Sequence, residues 1–312
     1  MNGLPLEVSG LTKVYRGRPV VRDATFRVPA GSVTALLGPN GSGKTTILRI
    51  TLGLERPTSG SALLGGRRYR DLCAPYRTVG ALLDASWVHP GRTARAQLQW
   101  ICQASGIPVD NVERALGELG LTGVADRKVG TFSLGMRQRL GMASTTLGDP
   151  AFLIYDEPLN GLDPTGVELV RDFFARQAAA GRSVLLSSHQ LAEVALSADR
   201  IVVLGRGEVV HEGSVDALAD DTVEVEVADD DAVVRRLTED AQLRGWQVAR
   251  EAGARGSVLL RIGGATVPEV TARVVAAGGE LRRVERRNSL EQTYRRLTDE
   301  RVEFGAVGRA GG

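Results

Sequence analysis

Gly38-Pro39-Asn40-Gly41-Ser42-Gly43-Lys44-Thr45-Thr46 is the stretch that decides the fold of this chain. It follows the apolar run at residues 33–37 and leads into the apolar segment at residues 47–50. A strand, a glycine-rich loop and a helix in this order place backbone N–H groups at a helix N-terminus, where an anion binds favourably. The stretch therefore predicts a loop that binds phosphate groups.

Lys44 and Thr45 make this loop more specific than a glycine-rich turn. The ammonium group of Lys44 is expected to reach the β- and γ-phosphates, and the hydroxyl of Thr45 is expected to bind Mg²⁺. A simple turn between two buried elements explains the glycines but not the adjoining Lys-Thr pair. The sequence therefore predicts that the chain binds a nucleoside triphosphate.

The composition narrows the classes of protein to consider. A chain of 312 residues with 43% hydrophobic residues is expected to form two domains with a sizeable core. The 39 basic and 37 acidic residues give a net charge of +2, so the overall charge offers no argument for a nucleic-acid partner. Cys73 and Cys102 fit no disulfide or zinc pattern and are predicted to be small buried residues in a reducing cytosol.

No apolar run reaches the roughly 20 residues that span a bilayer, which predicts a soluble or peripheral protein. The apolar patterns of residues 1–219 predict an α/β domain with a buried parallel sheet. Its first part, residues 6–66, is expected to be a β-rich layer facing the nucleotide. A helical subdomain is predicted at about residues 85–145, followed by strands at 152–155 and 184–187 around a helix at 167–177, and a hairpin at 201–210.

A second domain is predicted at residues 220–303. Strict alternation at residues 222–227 indicates a half-exposed strand. The following segments complete a β-α-β-β-α-β order, which predicts a small α+β domain of the ferredoxin-like type. A terminal helix is expected at about residues 289–297 and a disordered tail at residues 304–312. The aspartates at 229–231 suggest a solvated turn or a helix cap more than a metal site.

Further motifs follow the phosphate loop in a fixed order. These are Thr131-Phe132-Ser133-Leu134-Gly135-Met136-Arg137-Gln138-Arg139, Ala151-Phe152-Leu153-Ile154-Tyr155-Asp156-Glu157-Pro158, Leu159-Asn160-Gly161-Leu162-Asp163 and Ser187-Ser188-His189. They resemble the signature motif, the Walker B strand, the D-loop and the switch histidine of ATP-binding cassette (ABC) ATPases. The resemblance runs from residue 6 to about residue 216 and implies a P-loop NTPase fold with a helical insertion.

The residues after the Walker B strand carry the expected chemistry. Asp156 ends an apolar run, so its carboxylate should lie at the edge of the sheet beside the phosphate loop and hold Mg²⁺ through water. Glu157 is expected to orient or deprotonate the attacking water. A cap on the next helix would explain one acid, not two. His189 also follows an apolar run, where a packing role competes with the sensor role that the resemblance implies.

Ser133 and Gly135 begin a basic helix and are predicted to form a second anion site at its N-terminus. A simple Ser N-cap is compatible with that role. In the family this site completes the nucleotide pocket of the opposite subunit. The resemblance therefore implies a homodimer with two ATP molecules between the copies, and implies that Asp163 communicates across the interface.

Tyr15 stands where the family stacks an aromatic ring on adenine. The alternative is a tyrosine that only packs in the hydrophobic core. No hydrogen-bonding groups for the base are evident in the sequence, so the residues themselves predict a triphosphate and only the resemblance implies ATP.

Asp84 departs from the family pattern, because it occupies the place of the Q-loop glutamine. Its shorter, charged side chain is expected to reach Mg²⁺ through water. Asp84, with Leu134 and Met136 in the signature motif, resembles the antibiotic and multidrug export branch, in which the ATPase works with a separate ABC-2-type membrane permease. The resemblance implies peripheral association with the cytoplasmic side of the cell membrane. Trp87 and Trp100 lie where such a permease would dock.

The leading interpretation is a Mg²⁺-dependent ATPase that powers export of a drug or antibiotic-like compound. One alternative is a soluble ABC ATPase that acts on ribosomes or DNA, although the paired cassettes or long coiled-coil insertions common in such proteins are missing from this sequence. A second alternative is a non-catalytic, ATP-gated interaction module. Arginines after residue 281 alternate with acidic residues, which favours a solvated face over a nucleic-acid site. No residue indicates the cargo.

Overall fold

The computed structural model describes residues 3–84, 88–215, 221–228, 230–252 and 256–288. These fall into two compact units, one ending at Val215 and the other beginning, among the described residues, at Asp221. In the described ranges, no helix has both the length and the apolar character needed to cross a membrane.

The first unit alternates strands and helices. Its strands are β1 (Leu6–Tyr15), β2 (Arg18–Val28), β3 (Ser32–Leu37), β4 (Ser59–Leu64), β5 (Val79–Leu82), β6 (Phe152–Tyr155), β7 (Ser183–Ser188), β8 (Arg200–Gly205) and β9 (Glu208–Ser214). Its helices are α1 (Lys44–Thr51), α2 (Pro75–Thr78), α3 (Ala94–Ser105), α4 (Asn111–Glu118), α5 (Leu134–Thr145), α6 (Pro164–Ala179) and α7 (Leu191–Ser197).

Six of the described strands form the central sheet, in the order β5-β6-β7-β3-β8-β9. All neighbouring pairs are parallel except β8 and β9, which form an antiparallel hairpin. Strands β6 and β7 are buried along their whole length, as expected for apolar runs covered on both faces. The predicted strands, helix and hairpin of this part of the chain are therefore confirmed.

A second, antiparallel sheet of the order β2-β1-β4 packs against the first. Its inward side chains, Leu6, Val8 and Phe26, join Leu36 and Ile47 in one apolar core. This core includes residues on both sides of the loop at residues 38–46, so both ends of the loop are fixed in it. The β-rich layer predicted for residues 6–66 is present.

The helical segment, α3 to α5, packs against the edge of the central sheet. Helix α5 approaches β5 so closely that a Cβ atom on Gly80 would lie 2.1 Å from the carbonyl oxygen of Thr145. Only glycine fits at such a distance. This contact places the end of α5 directly against β5, the strand that leads to Asp84.

The second unit contains β10 (Asp221–Ala228), α8 (Asp231–Leu243), β11 (Gln247–Ala252), β12 (Ser257–Gly263), α9 (Val267–Ala276) and β13 (Leu281–Asn288). Its strands pair antiparallel in the order β11-β12-β10-β13. Val223, Val225 and Val227 point to the helices and form the core with Leu260 and Val270. Asp230 caps α8 by accepting hydrogen bonds from the N–H groups of Ala232 and Val233.

The structure corrects two expectations. Cys73 is exposed, whereas Cys102 is buried as predicted. Cys73 lies in the connection just before α2, where short turns leave little apolar surface to cover a side chain. The sequence pattern predicts a strand only at about residues 281–284 and assigns the arginines at 286 and 287 to the basic terminal helix, whereas β13 continues to Asn288 and includes them. That predicted helix, the predicted tail at 304–312 and Trp87 lie outside the described residues.

Candidate functional site

The strand order brings three loops together at one edge of the central sheet. Strand β7 lies between β6 and β3, and all three run in the same direction. The chain therefore leaves β3 into the phosphate loop, leaves β6 at Asp156 and leaves β7 at His189 on the same side. The carboxyl ends of parallel strands are where α/β sheets bind ligands.

The phosphate loop has a backbone shape that glycine permits. Gly43 precedes α1 with φ of 106°, in a region that side chains disfavour. A Cβ atom on Gly43 would lie 2.9 Å from the carbonyl oxygen of Val20, and one on Gly38 would lie 2.6 Å from that of Leu204. The loop is thus held close to the neighbouring strands, with Pro39, Asn40 and Gly41 exposed at its rim.

Two polar groups point into this loop. Lys44, only 6% exposed, donates from Nζ to the carbonyl oxygens of Gly38 at 2.7 Å and Pro39 at 3.4 Å. The hydroxyl of Ser42 is buried and has no hydrogen-bond partner among the described residues. Buried polar groups normally find a partner. A charged ammonium group beside an unpaired hydroxyl and a helix N-terminus fits a phosphate group.

Thr45 and Asp156 meet although they are far apart in the sequence. The hydroxyl of Thr45 donates to Asp156 Oδ2 at 2.7 Å. Mg²⁺ prefers oxygen ligands and is usually held by one or two carboxylates together with phosphates of the substrate. Within the described ranges, no three His, Cys, Asp or Glu side chains gather closely enough to hold a metal ion by themselves. The hydroxyl and carboxylate therefore fit a Mg²⁺ site that phosphate oxygens complete.

Glu157 lies at the centre of the site. Its Oε1 is 3.5 Å from Lys44 Nζ, and its Oε2 is 2.9 Å from His189 Nδ1. Its side chain is 22% exposed and that of His189 is 35% exposed, so water reaches both. Because an ionised carboxylate only accepts hydrogen bonds, the imidazole hydrogen in this pair lies on Nδ1. The structure thus brings together Lys44, Glu157 and His189, the three predicted catalytic residues.

The alternative role for the two acids, as caps of the next helix, is wrong. Helix α6 is capped by Asp163, whose Oδ1 accepts a hydrogen bond from the N–H of Gly166 at 3.1 Å. Asp156 and Glu157 lie before this cap and turn toward the phosphate loop instead.

Known proteins with similar sequences bind ATP, as their names state. Residues 21–160 match the sequence family described as ABC transporter. The lantibiotic transport ATP-binding protein of Streptococcus pyogenes is 35% identical over 213 residues, which is 68% of this chain and 91% of the relative. The bacitracin transport ATP-binding protein of Enterococcus faecalis is 36% identical over 216 residues, which is 68% of this chain and 70% of the relative.

The chain belongs to the ABC transporter ATP-binding family. A solved structure described as the ATP-binding subunit of an ABC transporter matches with 31% identity and a TM-score of 0.62, covering 68% of this chain and 91% of that one. An uncharacterised ABC transporter ATP-binding protein of Bacillus subtilis is 33% identical over 276 residues, or 86% of this chain. That last similarity extends beyond the first unit into the second.

The signature residues of this ABC ATPase make their described contacts with α5 and the D-loop. Ser133 caps α5, since its hydroxyl accepts the N–H of Met136 at 3.2 Å, and Gly135 packs on the D-loop, where a Cβ atom would lie 3.1 Å from the carbonyl oxygen of Gly161. Among the described side-chain hydrogen bonds, those of Ser133 and Asp163 stay at the starts of their own helices. The structure therefore groups Ser133, Gly135 and the D-loop as a second cluster.

Tyr15 is not a core residue of the ABC ATPase, because 38% of its surface is exposed. Its hydroxyl donates to a carboxylate oxygen of Glu55, and Lys13 Nζ lies 4.8 Å from the ring centre. Loss of hydration raises the pKa of Tyr15, and the hydrogen bond to Glu55 raises it further. The Thr46 side chain of the phosphate loop also interacts with the Tyr15 hydroxyl and partly offsets this rise in pKa.

Asp84 follows β5 at the same edge of the sheet. The N–H of Asp156 donates to the carbonyl oxygen of Leu82 at 2.9 Å, so the chain reaches Asp84 two residues beyond this contact. Asp84 is exposed and lines a groove of about 490 Å³ that is also lined by Tyr69, Tyr76 and Trp100. The structure thus places the predicted metal residue and the predicted docking residue Trp100 along one groove.

Sequence reasoning missed three residues that touch the site. Gln138 donates from Nε2 to the carbonyl oxygen of Glu157 at 3.4 Å. Glu55 holds Tyr15, and Ser187 contacts both Asp156 and Glu157. Gln138 and Ser187 stand within the quoted motifs, which was the available signal for them. Nothing in the sequence near Glu55 pointed to Tyr15, 40 residues away.

Proposed function

We propose that this ABC ATPase hydrolyses Mg²⁺-bound ATP on the cytoplasmic side of the cell membrane and drives export of an antibiotic-like compound through a separate ABC-2-type permease. The observation that carries the proposal is the meeting of Lys44, the Thr45–Asp156 pair and the Glu157–His189 pair at one sheet edge. This arrangement supplies a phosphate-binding cation, oxygen ligands and a base in one place.

The chemistry follows from these groups. Glu157 accepts a proton from water as the water oxygen bonds to the γ-phosphorus, and the bond to the β–γ bridging oxygen breaks, leaving its electrons with ADP. Lys44 stabilises the negative charge of the phosphates. Bound Mg²⁺ would be held by Thr45 and Asp156, with Asp84 contributing through water, and would neutralise further charge on the phosphates. His189 keeps the carboxylate of Glu157 in place.

The second cluster supports the proposal of a homodimer. Ser133 and Gly135 present a helix N-terminus, which attracts anions, yet their described hydrogen bonds do not reach Lys44. A γ-phosphate bound by Lys44 of one copy and by Ser133 of the other would use both clusters. Hydrolysis would remove that shared group and separate the copies, with Asp163 beside the interface.

The names of the relatives support a role in transport. Two of them are named for lantibiotic transport and bacitracin transport. A transporter role is favoured over action on ribosomes or DNA for the same reason. Membrane fractionation of the chain, with and without a co-expressed permease from the adjacent reading frame, tests this role. Recovery in the membrane fraction only with the permease is expected; recovery with ribosomes or DNA would contradict it.

The groove beside Asp84 is proposed as the permease contact. Trp100 is 48% exposed there and stacks on Arg92, whose guanidinium lies 4.6 Å from its ring. We expect Trp100→Ala to reduce co-purification of the permease about tenfold, because buried aromatic side chains dominate protein interfaces, while leaving ATP affinity unchanged. Leu196→Ala, which removes an exposed apolar side chain outside this groove, is the control. If Trp100→Ala lost permease co-purification and ATP affinity to the same extent, Trp100 would have a packing role instead.

Tyr15 is proposed to stack on the base. We expect Tyr15→Ala to weaken ATP and GTP binding alike by about tenfold, because stacking contributes roughly 1–3 kcal/mol and tolerates any base. Binding of inorganic tripolyphosphate, measured by calorimetry, should not change. Tyr15→Phe keeps the ring and should retain most of the affinity. Equal weakening of tripolyphosphate binding would contradict the stacking role.

A further inference from the structure

Ser187 occupies a central position that the proposed chemistry does not use. It is fully buried in β7, the strand between β6 and β3. The register pairs Tyr155 with Leu186 and Leu36 with Ser187. Ser187 therefore lies level with Asp156, the first residue after β6. On its other side it lies beside Leu36, near the end of the strand that leads into the phosphate loop.

The hydroxyl of Ser187 contacts both adjacent acidic residues. It donates its proton to Asp156 Oδ1 at 2.5 Å and accepts the backbone N–H of Glu157 at 2.9 Å. A serine hydroxyl has one proton to donate, and here that proton goes to the carboxylate of Asp156. One buried oxygen atom thus joins the proposed metal side and the proposed base side of the site.

The contact with Asp156 fixes the rotation of its carboxylate. Oδ1 faces Ser187, and Oδ2 accepts the hydroxyl of Thr45 at 2.7 Å. With both oxygens engaged on opposite sides, the carboxylate keeps one oxygen directed at Thr45. Partners of this kind, one step removed from a metal, set the orientation of its ligands.

The hydrogen bond that the Glu157 N–H donates to Ser187 stabilises an unfavourable backbone conformation at Glu157. Glu157 has φ of 48°, in the left-handed region that residues with side chains rarely adopt. Three hydrogen bonds anchor it: its N–H to Ser187, and its carbonyl oxygen to Gln138 and to the N–H of Asn160. Of these, only the bond to Ser187 holds the N–H side, so it helps to direct the carboxylate toward Lys44 and His189.

The neighbouring Ser188 has a different task. Its hydroxyl accepts the N–H of Gln190 at 3.0 Å and donates to Glu193 at 3.0 Å, so it shapes the turn into α7. The two serines are therefore not interchangeable, although they adjoin in the sequence.

We propose that Ser187 is a positioning residue of the ATPase reaction, whose one hydroxyl sets the orientation of Asp156 for metal binding and of Glu157 for proton transfer. The inference rests on the proposed function, because it assigns Ser187 a role through the residues given those tasks above. It does not require contact between Ser187 and the nucleotide.

The test compares Ser187→Ala and Ser187→Thr with the wild-type chain. The first readout is the ratio of the dissociation constants of MANT-ADP measured in EDTA and in Mg²⁺, which reports metal binding without hydrolysis. We expect Ser187→Ala to lower this ratio about tenfold and ATP turnover about 10- to 100-fold, the usual effect of removing such a partner. Affinity in EDTA should stay near the wild-type value. Ser187→Thr keeps the hydroxyl and should restore both readouts.

Ser183→Ala is the matched control. Ser183 is also buried in β7, 2% exposed, and donates to the carbonyl oxygen of Leu4 at 2.9 Å, at the opposite end of the strand. Loss of the Ser183 hydroxyl should lower the melting temperature without changing the ratio of the MANT-ADP dissociation constants in EDTA and in Mg²⁺. If Ser187→Ala does not fold, Ser187→Cys, which keeps the volume but donates only weakly, takes its place with the same expected losses.

Three results would overturn the inference. The first is a folded Ser187→Ala variant whose ratio of MANT-ADP dissociation constants and ATP turnover equal those of the wild type. The second is an equal fall of that ratio in Ser183→Ala, and the third is a folded Ser187→Thr variant that loses as much as Ser187→Ala. A wild-type chain that binds MANT-ADP equally with and without Mg²⁺ and hydrolyses no ATP would instead contradict the proposed function. The two failures are therefore separate observations.

Discussion

The Glu157→Gln variant is expected to bind ATP as tightly as the wild-type chain and to hydrolyse it at least about a hundredfold more slowly. A general base contributes roughly 10²- to 10⁴-fold to a rate, and glutamine has nearly the same shape but cannot accept the proton. Its amide can still hydrogen-bond His189, now 2.9 Å from Glu157 Oε2, so the site should keep its geometry. Turnover is measured by phosphate release and affinity by MANT-ATP titration.

The same variant tests the homodimer. Because the γ-phosphate is not removed, Glu157→Gln should accumulate as a dimer in ATP and Mg²⁺, with twice the mass of one chain by light scattering, and return to monomer in ADP. Glu168→Gln, which changes an exposed glutamate of α6, is the matched control and should behave as wild type. Normal hydrolysis by Glu157→Gln would show that the base is another group; a monomer at saturating ATP would contradict the shared nucleotide.

The Lys44→Ala variant is expected to lose ATP binding by about 100-fold, because hydrogen bonds to charged groups contribute roughly 1.5–3 kcal/mol each and the lysine reaches two phosphates. Lys44 is buried against the loop, and its Nζ atom lies 3.5 Å from Glu157 Oε1. ATP, ADP and AMP titrations by calorimetry measure the effect. The loss should be large for ATP and small for AMP, which lacks the β- and γ-phosphates.

Lys128→Ala provides the control for Lys44→Ala. Lys128 is an exposed lysine in the helical segment, and its removal takes away the same charge without touching the loop. Melting curves of both variants show whether the fold is retained. An equal loss of AMP and ATP affinity in Lys44→Ala would mean that the loop had collapsed, and an unchanged ATP affinity would place the phosphates elsewhere.

Much of the first unit was predictable because its signals are local. Apolar runs such as residues 152–155 and the turn chemistry of residues 38–46 act over a few residues, and the structure follows them closely. The helix predicted at 167–177 begins earlier, at Pro164, because Asp163 and Pro164 form a capped start whose signal is polar rather than periodic. Cys73 was predicted wrongly because its burial depends on what packs over a short connection, not on its own polarity.

The environments of the site residues were less predictable. Tyr15 was equally consistent with a core residue or a base platform, and its exposure and its bond to Glu55 decided against the core. The bond between the hydroxyl of Thr45 and Asp156 joins residues 111 positions apart. Such contacts depend on which strands are neighbours, and sequence periodicity carries no information on that order.

The sequence by itself determined the chemical groups of this protein: a phosphate loop with its lysine and threonine, two acids after an apolar run, and a histidine after another. It did so because loop conformation, strand formation and helix starts depend on residues close in the chain. Only the tertiary structure decided that β7 lies between β3 and β6, so that Lys44, Asp156, Glu157 and His189 meet and Ser187 lies between the two acids. The physical reason is that strand order and register are set by packing of the whole sheet against its helices.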